Sequence, residues 1–217
     1  MSLFGEPVVE QDAYTAVAEG AFRRLRVTPR GELVTVSLAQ QMVFDGRVFM
    51  VSNATAGTAT AMGGTGLVAT TPALLIDAPA NVALIPLEVR LTQGGTVGSG
   101  DINIMLVCDS VVRYSSGGTA LTIRNMRLDN PNTSACTAYT GPTAAAATAE
   151  RVLAYDLQAP DVTPVAATEH RQFIWRPDPA PVLYDGASLV LYTFAATTQP
   201  SWHFSITWAE IPSGQTT

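Results

Sequence analysis

The sequence predicts an all-β protein, an antiparallel β-sandwich with an extended N-terminal arm, and three observations lead to that class. Of its 217 residues only 14% are charged while 47% are hydrophobic, and Lys and Glu are scarce, which disfavours a helical bundle or coiled coil. Short apolar runs alternate with Gly, Pro and Asp turn signals. No helical pattern after residue 45 is long enough for a βαβ crossover, which points to a sandwich or barrel.

Residues 1–45 are predicted to form an arm for assembly and docking, and residues 46–217 to form the body. The chain has no lysine, so all 12 basic residues are Arg. Four of them lie in the arm and are the candidate docking residues: Arg23, Arg24, Arg26 and Arg30. They form either a solvated face of the arm or a docking strip for an acidic protein surface, because guanidinium groups pair well with carboxylates.

Within the arm, apolar residues from Tyr14 to Leu25 recur at spacings of three and four, and Asp12 is available as an N-cap. This pattern indicates a short helix, which Gly20 weakens. Pro29 to Gly31 then predict a turn that leads into a short strand ending at Val36.

The body is predicted to contain eight to ten short strands at intervals of roughly 8 to 20 residues. Eight antiparallel strands in two packed sheets make a jelly roll, which is the predicted architecture. The predicted strands span residues 47–52, 67–70, 73–76, 82–91, 102–108, 121–128, 151–157, 170–175, 188–194 and 201–208.

Two of these strands have clear alternation of apolar and polar residues, which is typical of a half-buried strand. In the run 82–91 the pattern assigns Ile85, Leu87, Val89 and Leu91 to one face. In the final run, Trp202, Phe204, Ile206 and Trp208 share a face, and we expect this aromatic face to fill the core rather than to bind a ligand.

The segment 129–150 is predicted to be a long loop or an excursion ordered by a neighbour, because it has almost no large apolar residue except Tyr139. Its alanine run, Ala144 to Ala147, is compatible with a helical turn.

Catalytic and metal chemistry are not expected. The chain has two histidines, His170 and His203, and no G-x-S-x-G sequence surrounds a serine. Glu169 and His170 are neighbours, so on a strand they point to opposite faces. We therefore expect no enzyme activity, metal or cofactor. Spacing leaves open whether some carboxylates meet in space as a glycosidase pair, with Glu88, Asp101, Asp109, Asp156 and Glu169 as the candidates.

Cys108 and Cys136 are expected to be reduced thiols, with a bridge between them as the alternative. The N-terminus has no basic region followed by an apolar stretch, so no secretory signal is expected. No run reaches the 18 apolar residues of a membrane helix. The net charge of -6 argues against nucleic acid as the main partner.

The chain resembles structural proteins of tailed bacteriophage particles over residues 45 to 211. The resemblance lies in Ser116 to Thr122, in Asn125 and Met126, in Thr137 to Gly141, in Ala73 to Ile76 with Leu84 to Val89, and in Trp202 to Glu210.

The resemblance implies a jelly roll of the tumour-necrosis-factor type that assembles as a homotrimer and has no catalytic residues. It implies a head decoration or cement protein, located in the virion after assembly in the bacterial host cytoplasm, with the major capsid protein or another virion protein as partner. The arm would gain order on the capsid or on a neighbouring subunit.

Two alternatives come from other classes. A tail-associated host-recognition or carbohydrate-binding module would need exposed aromatic rings in a cleft, and the candidates are Tyr114, Tyr139, Trp175 and Tyr192. An enzyme that degrades bacterial surface polymers would depend on the carboxylates named above.

Overall fold

A computed structural model of the chain describes residues 37–94, 101–158, 171–196 and 199–212. The chain divides into two compact units, residues 1–45 and residues 46–217. The predicted helix, turn and strand of the arm lie outside the described residues, and so do Arg23, Arg24, Arg26 and Arg30.

The described part of the first unit contains one helix, α1 (Leu38–Phe44). Ser37 is its N-cap, and its hydroxyl accepts a hydrogen bond from the Gln40 backbone N–H at 3.2 Å. The sequence pattern does not predict this helix. Among the described residues, no helix is both long and apolar enough to cross a membrane.

The second unit is built from strands. Its described strands are β1 (Val48–Ser52), β2 (Thr60–Ala61), β3 (Leu74–Asp77), β4 (Val82–Gln93), β5 (Ile102–Asp109), β6 (Tyr114–Ser116), β7 (Thr119–Ala120), β8 (Arg124–Asn125), β9 (Thr137–Thr140), β10 (Thr143–Ala144), β11 (Arg151–Gln158), β12 (Gln172–Trp175), β13 (Leu183–Tyr184), β14 (Ser188–Ala195) and β15 (Ser201–Pro212).

These strands form two large antiparallel sheets. Sheet 1 has the order β12-β4-β15-β1-β8, with β13 beside β4 and β2 beside β15. Sheet 2 has the order β11-β5-β14-β3-β9-β7, and β6 and β10 form a separate two-stranded ribbon. The inward faces of the two sheets share one hydrophobic core. The predicted antiparallel β-sandwich is therefore confirmed.

The core confirms the prediction for the final strand. On β15, Trp202, Ile206 and Trp208 are 0% exposed and Phe204 is 4% exposed. They pack in the same cluster as Ile104 and Leu106 of β5, across the sandwich. Burying such side chains contributes roughly 1.5–3 kcal/mol each, so β15 is a main source of the body's stability.

The predicted facing of β4 is half wrong, because the strand contains a bulge. Thr207 pairs with Glu88 and Trp208 pairs with Pro86, which leaves Leu87 without an opposite residue. A bulge of one residue inverts the alternation on either side of it. Val89 and Leu91 point into the core as predicted, but Leu84 takes the inward place before the bulge, and Ile85 and Leu87 do not.

Three other predictions are corrected. Residues 67–70 are not a strand, and in the run 121–128 only Arg124–Asn125 is one. Of the two alternatives for the segment 129–150, the long loop is wrong, and the ordered excursion agrees with the pairing of β9 with β3. Its alanine run is not helical. Small Thr and Ala side chains give no hydrophobic alternation, yet here the backbone of β9 pairs with β3.

Candidate interaction surfaces

The outer face of sheet 2 is apolar and is covered by the chain itself. Leu75, Val107 and Val190 are 0% exposed and Tyr192 is 2% exposed on this face. We call the segments 62–72, 110–118 and 142–150 the cover. The Tyr192 hydroxyl donates to the Ala69 carbonyl of the cover at 2.8 Å, so the tyrosine predicted as an exposed sugar platform is instead a buried anchor.

Gly63 lies beside β14, next to the parallel bridge between Gly64 and Phe194. This glycine has φ +94°, and a Cβ added there would lie 1.7 Å from the Thr193 carbonyl oxygen. The neighbouring Gly64 exchanges backbone hydrogen bonds with β14, donating to Thr193 O at 3.2 Å and accepting from Ala195 N at 3.1 Å. Only glycine fits this conformation and this approach.

Arg113 lies at the centre of the cover with 0% exposure. Its guanidinium donates to the carbonyls of Ala69 at 2.9 Å and Ala145 at 3.0 Å, and to the Tyr192 hydroxyl at 3.2 Å. It also forms an ion pair with the Glu150 carboxylate at 2.8 Å. One buried cation therefore joins two loops of the cover to the sheet, as a satisfied buried charge should.

Two carboxylates complete this cluster from the sheet side. Asp77 accepts hydrogen bonds from the backbone N–H of Arg113 and from the Ser188 hydroxyl. Asp109 accepts from the backbone N–H groups of Thr148 and Ala149 at 2.9 Å. Burial alone would raise the pKa of Asp109, but these N–H groups and Arg113 outweigh it, so the pKa lies below its ordinary value.

The outer face of sheet 1 is partly covered: at one end Val48 and Ala209 are 1% and 0% exposed, whereas the side chains at its centre remain partly accessible. These accessible side chains are small or polar and line up across β4, β15 and β1. They are Ser52, Thr92, His203, Ser205 and Thr207. Exposed apolar side chains flank them, with Ile174 47%, Val182 53% and Tyr184 45% exposed.

One carboxylate of this face lies between two guanidinium groups. Glu88 accepts hydrogen bonds from Arg90 at 2.9 Å and from Arg176 at 3.2 Å. Burial tends to raise the pKa of Glu88, but the two arginines outweigh it and keep that pKa below its ordinary value. This face therefore combines small polar side chains and a charged cluster with exposed apolar side chains at its margin.

At one end of the body a cleft of about 500 Å³ lies between the start of β1, the end of β15 and residues 131–135. Glu210, 8% exposed, holds these residues in place. Its carboxylate accepts from the Trp208 indole N–H at 2.9 Å, the Ala135 N–H at 2.8 Å and the Ser134 hydroxyl. Burial and the Glu210 carboxylate raise the pKa of the adjacent Cys136 thiol far above its ordinary value.

The other sequence candidates are not brought together into one site. The rings of Tyr114 and Tyr139 stack on each other at 4.0 Å on sheet 2, whereas Trp175 packs against the core from sheet 1. His203 lies on the outer face of sheet 1, while Glu169 and His170 lie outside the described residues. Cys108 and Cys136 are both free and buried.

The candidate carboxylates serve local contacts instead. Glu88 and Asp109 bind the arginines and N–H groups given above, and Asp156 accepts from Gln158 at 2.8 Å. Within the described ranges, no three His, Cys, Asp or Glu side chains are grouped so that they could hold a metal ion.

Fold and surfaces together define a class: an antiparallel β-sandwich with one outer sheet face covered by its own loops and the other partly accessible. No family model, no curated protein sequence and no solved structure matches the chain.

Proposed function

We propose that this chain is a non-enzymatic structural component of a bacteriophage virion. In this proposal it is a homotrimer that binds the outside of the head as a decoration or cement protein. The observation that carries the proposal is the partly accessible centre of the outer face of sheet 1, in contrast to the covered face of sheet 2.

The strand order supports a jelly roll of the tumour-necrosis-factor type. Sheet 1 contains β12-β4-β15-β1, and sheet 2 contains β11-β5-β14-β3. Along the chain, β3, β4 and β5 alternate between the sheets, as do β12, β14 and β15. Eight strands in two four-stranded sheets with such crossings fit the jelly-roll class.

The outer face of sheet 1 supports self-association. When another copy covers this face, burial of the exposed Ile174, Val182 and Tyr184 would contribute favourable free energy, and the polar side chains would have to form hydrogen bonds across the contact. The neighbouring copies would meet around a threefold axis, which closes the assembly.

The mechanism would be stabilisation by mass action. A trimer that binds the assembled shell but not its dissociated subunits shifts the equilibrium toward the shell. The arginines at 23, 24, 26 and 30 would supply the ionic contacts of the arm with an acidic shell surface.

The oligomeric state tests the proposal. Light scattering coupled to gel filtration is expected to give about 69 kDa, three times the 22.9 kDa chain mass. A mass of one chain at all concentrations would contradict it.

A matched pair of variants tests the face. Ile174 of β12 lies opposite Arg90 of β4. In the monomer the Ile174→Asp side chain can therefore form an ion pair with Arg90, but in the trimer it places a charge in the proposed interface. We expect it to yield folded monomers. Val152→Asp adds the same charge at an exposed position on β11 in sheet 2, and we expect it to remain trimeric. If both variants had the same oligomeric mass, the outer face of sheet 1 would not be the trimer interface.

A further inference from the structure

Strand β11 is an edge strand of sheet 2 with exposed apolar side chains. It pairs with β5 on one side, and no described strand pairs with its other side. Three of its side chains are more than half exposed, with Val152 at 59%, Tyr155 at 56% and Leu157 at 53%. An unpaired edge presents backbone N–H and C=O groups to which another extended segment can bind. This edge is therefore a candidate docking site.

The sequence of β11 gives this edge little protection. Natural edge strands are often very short, or they contain Lys or Pro. β11 has 8 residues, Arg151–Gln158, and contains neither Lys nor Pro. Its pairing with β5 is interrupted by a bulge at Leu153, between Val152 and Ala154. A bulge changes which side chains share a face, so it also determines which strand the edge can accept.

Because of the bulge, the order of inward and outward side chains around Leu153 and Ala154 is the same in both directions along β11. These two residues both pack against the core, so both point inward. Val152 and Tyr155, on either side of them, lie opposite β5 residues of the outer face of sheet 2, so both point outward. A reversed copy of the strand therefore presents the same order of faces.

The charged residues of β11 have the same symmetry, with opposite signs. Arg151 lies opposite Cys108 and Asp156 lies opposite Ile104, and both β5 residues belong to the core, so the two charged side chains are on the inward side of the strand. Arg151 is exposed, and within the described ranges no carboxylate forms an ion pair with it. Asp156 accepts a hydrogen bond from the neutral Gln158 amide at 2.8 Å. Both charges can therefore pair with a group outside the chain.

We propose that β11 of one copy pairs antiparallel with β11 of a second copy, about a twofold axis between Leu153 and Ala154. The pairing joins sheet 2 of the two copies edge to edge through backbone hydrogen bonds. It goes beyond the proposed threefold contact, because it uses the edge of sheet 2 and not the outer face of sheet 1. It does not depend on the threefold contact.

A second copy is the occupant that this edge fits, because the reversed strand supplies both side-chain matches. In this register Arg151 of each copy lies opposite Asp156 of the other on the inward side. Val152 of each copy lies opposite Tyr155 of the other on the outward side. Opposite charges and aromatic with β-branched side chains are both favourable cross-strand pairs. Each pair occurs twice, because a twofold contact repeats every interaction.

Cysteine cross-linking tests the register. A chain with both Val152→Cys and Tyr155→Cys places thiols opposite each other across the axis, and oxidation should link it to a product of twice the 22.9 kDa chain mass. In each single variant the two thiols are offset along the strands by roughly 10 Å, which is too far for a disulfide, so little product is expected. The unchanged protein is the control for Cys108 and Cys136, which are buried. No product from the double variant, or equal product from the single variants, would overturn the register.

Charge reversal tests the match between Arg151 and Asp156. Arg151→Asp places two carboxylates opposite each other at both ends of the contact, and Asp156→Arg does the same with two guanidinium groups. We expect each variant to associate at least about tenfold more weakly in sedimentation velocity. The chain with both substitutions forms the ion pairs again with reversed signs, so its association should recover. A double variant that associates as weakly as the single ones would refute the proposal.

A concentration series in sedimentation velocity separates this contact from the proposed trimer. The mass at low concentration reports the threefold contact, and reversible growth in mass at higher concentration reports the pairing of β11. Val152→Asp should keep the mass at low concentration and abolish the growth. The matched control is Leu67→Asp, at a 50% exposed leucine of the cover, which should behave as the unchanged protein does. No growth in mass up to about 1 mM would overturn the pairing, whatever the mass at low concentration.

Discussion

At the scale of single residues, Arg113 is the side chain that most affects the fold. It is a fully buried cation that binds the carbonyls of two loops, a tyrosine hydroxyl and the Glu150 carboxylate. The sequence gives almost no signal for this role. Arg113 lies four residues after Asp109, and it resembles any other arginine in a turn.

Replacing Arg113 with leucine should strongly destabilise the body. The change leaves Glu150, two carbonyls and the Tyr192 hydroxyl without their donor, and breaking a buried ion pair on one side costs about 3–5 kcal/mol. Urea unfolding followed by tryptophan fluorescence measures the free energy of unfolding. The control is Arg176→Leu, whose side chain is 63% exposed and whose loss should cost no more than about 1 kcal/mol. Similar values for both variants would argue against the buried cluster as an anchor.

At the scale of elements, Glu210 of β15 fastens the segment before β9 to sheet 1. The same carboxylate accepts from Trp208 on its own strand and from Ser134 and Ala135 on the segment. Cys136 follows directly and is 4% exposed, so its thiol reports whether the segment stays attached.

Replacing Glu210 with alanine should therefore expose Cys136 without unfolding the sandwich. In a Cys108→Ser background, we expect the Cys136 thiol to react with a disulfide reagent at least about tenfold faster in Glu210→Ala, because local opening needs less free energy and because the carboxylate that raises the thiol pKa is removed. In the unchanged protein the thiol is protected by burial and by its raised pKa. Equal reaction rates would show that other contacts hold the segment.

The elements also show which parts of a strand pattern can be predicted. The final strand was predicted correctly because its alternation continues without interruption from Trp202 to Trp208. In β4 the bulge at Leu87 depends on the pairing with β15, and its local sign is Pro86, which has no backbone N–H for a regular ladder. β9 was missed because its order comes from pairing with β3 and not from its own small side chains.

At the scale of the whole molecule, composition predicted the fold class and the structure added the difference between the two sheet faces. Low charge and frequent turn signals indicate a sandwich, but they do not indicate which outer face is covered. That difference arises because the cover folds back over sheet 2, which depends on contacts such as Arg113 with Ala69, 44 positions apart.

Deleting residues 1–45 should separate docking from folding. The chain divides into units at this boundary, so residues 46–217 are expected to keep the far-ultraviolet spectrum of a β protein and a cooperative unfolding transition. Binding to phage particles should be lost, as measured by co-sedimentation. The control is the full chain with Arg23, Arg24, Arg26 and Arg30 changed to glutamine. If the truncated chain and the glutamine variant both bound phage particles as the unchanged protein does, the arm would not be the docking segment.

The pairing of β1 with β15 also decides how the body responds to force. The two strands run antiparallel, with Val48 opposite Ala209 and Ser52 opposite Ser205, so the first and last strands of the body meet at the same end. A pull between residues 46 and 212 would load the Val48–Ala209 pair first and then each later pair in turn. The residue pairs would separate one after another, and the two strands would not shear apart in a single step. A sandwich tethered through its arm would thus yield at low force along β1, while the aromatic core behind β15 would be loaded last.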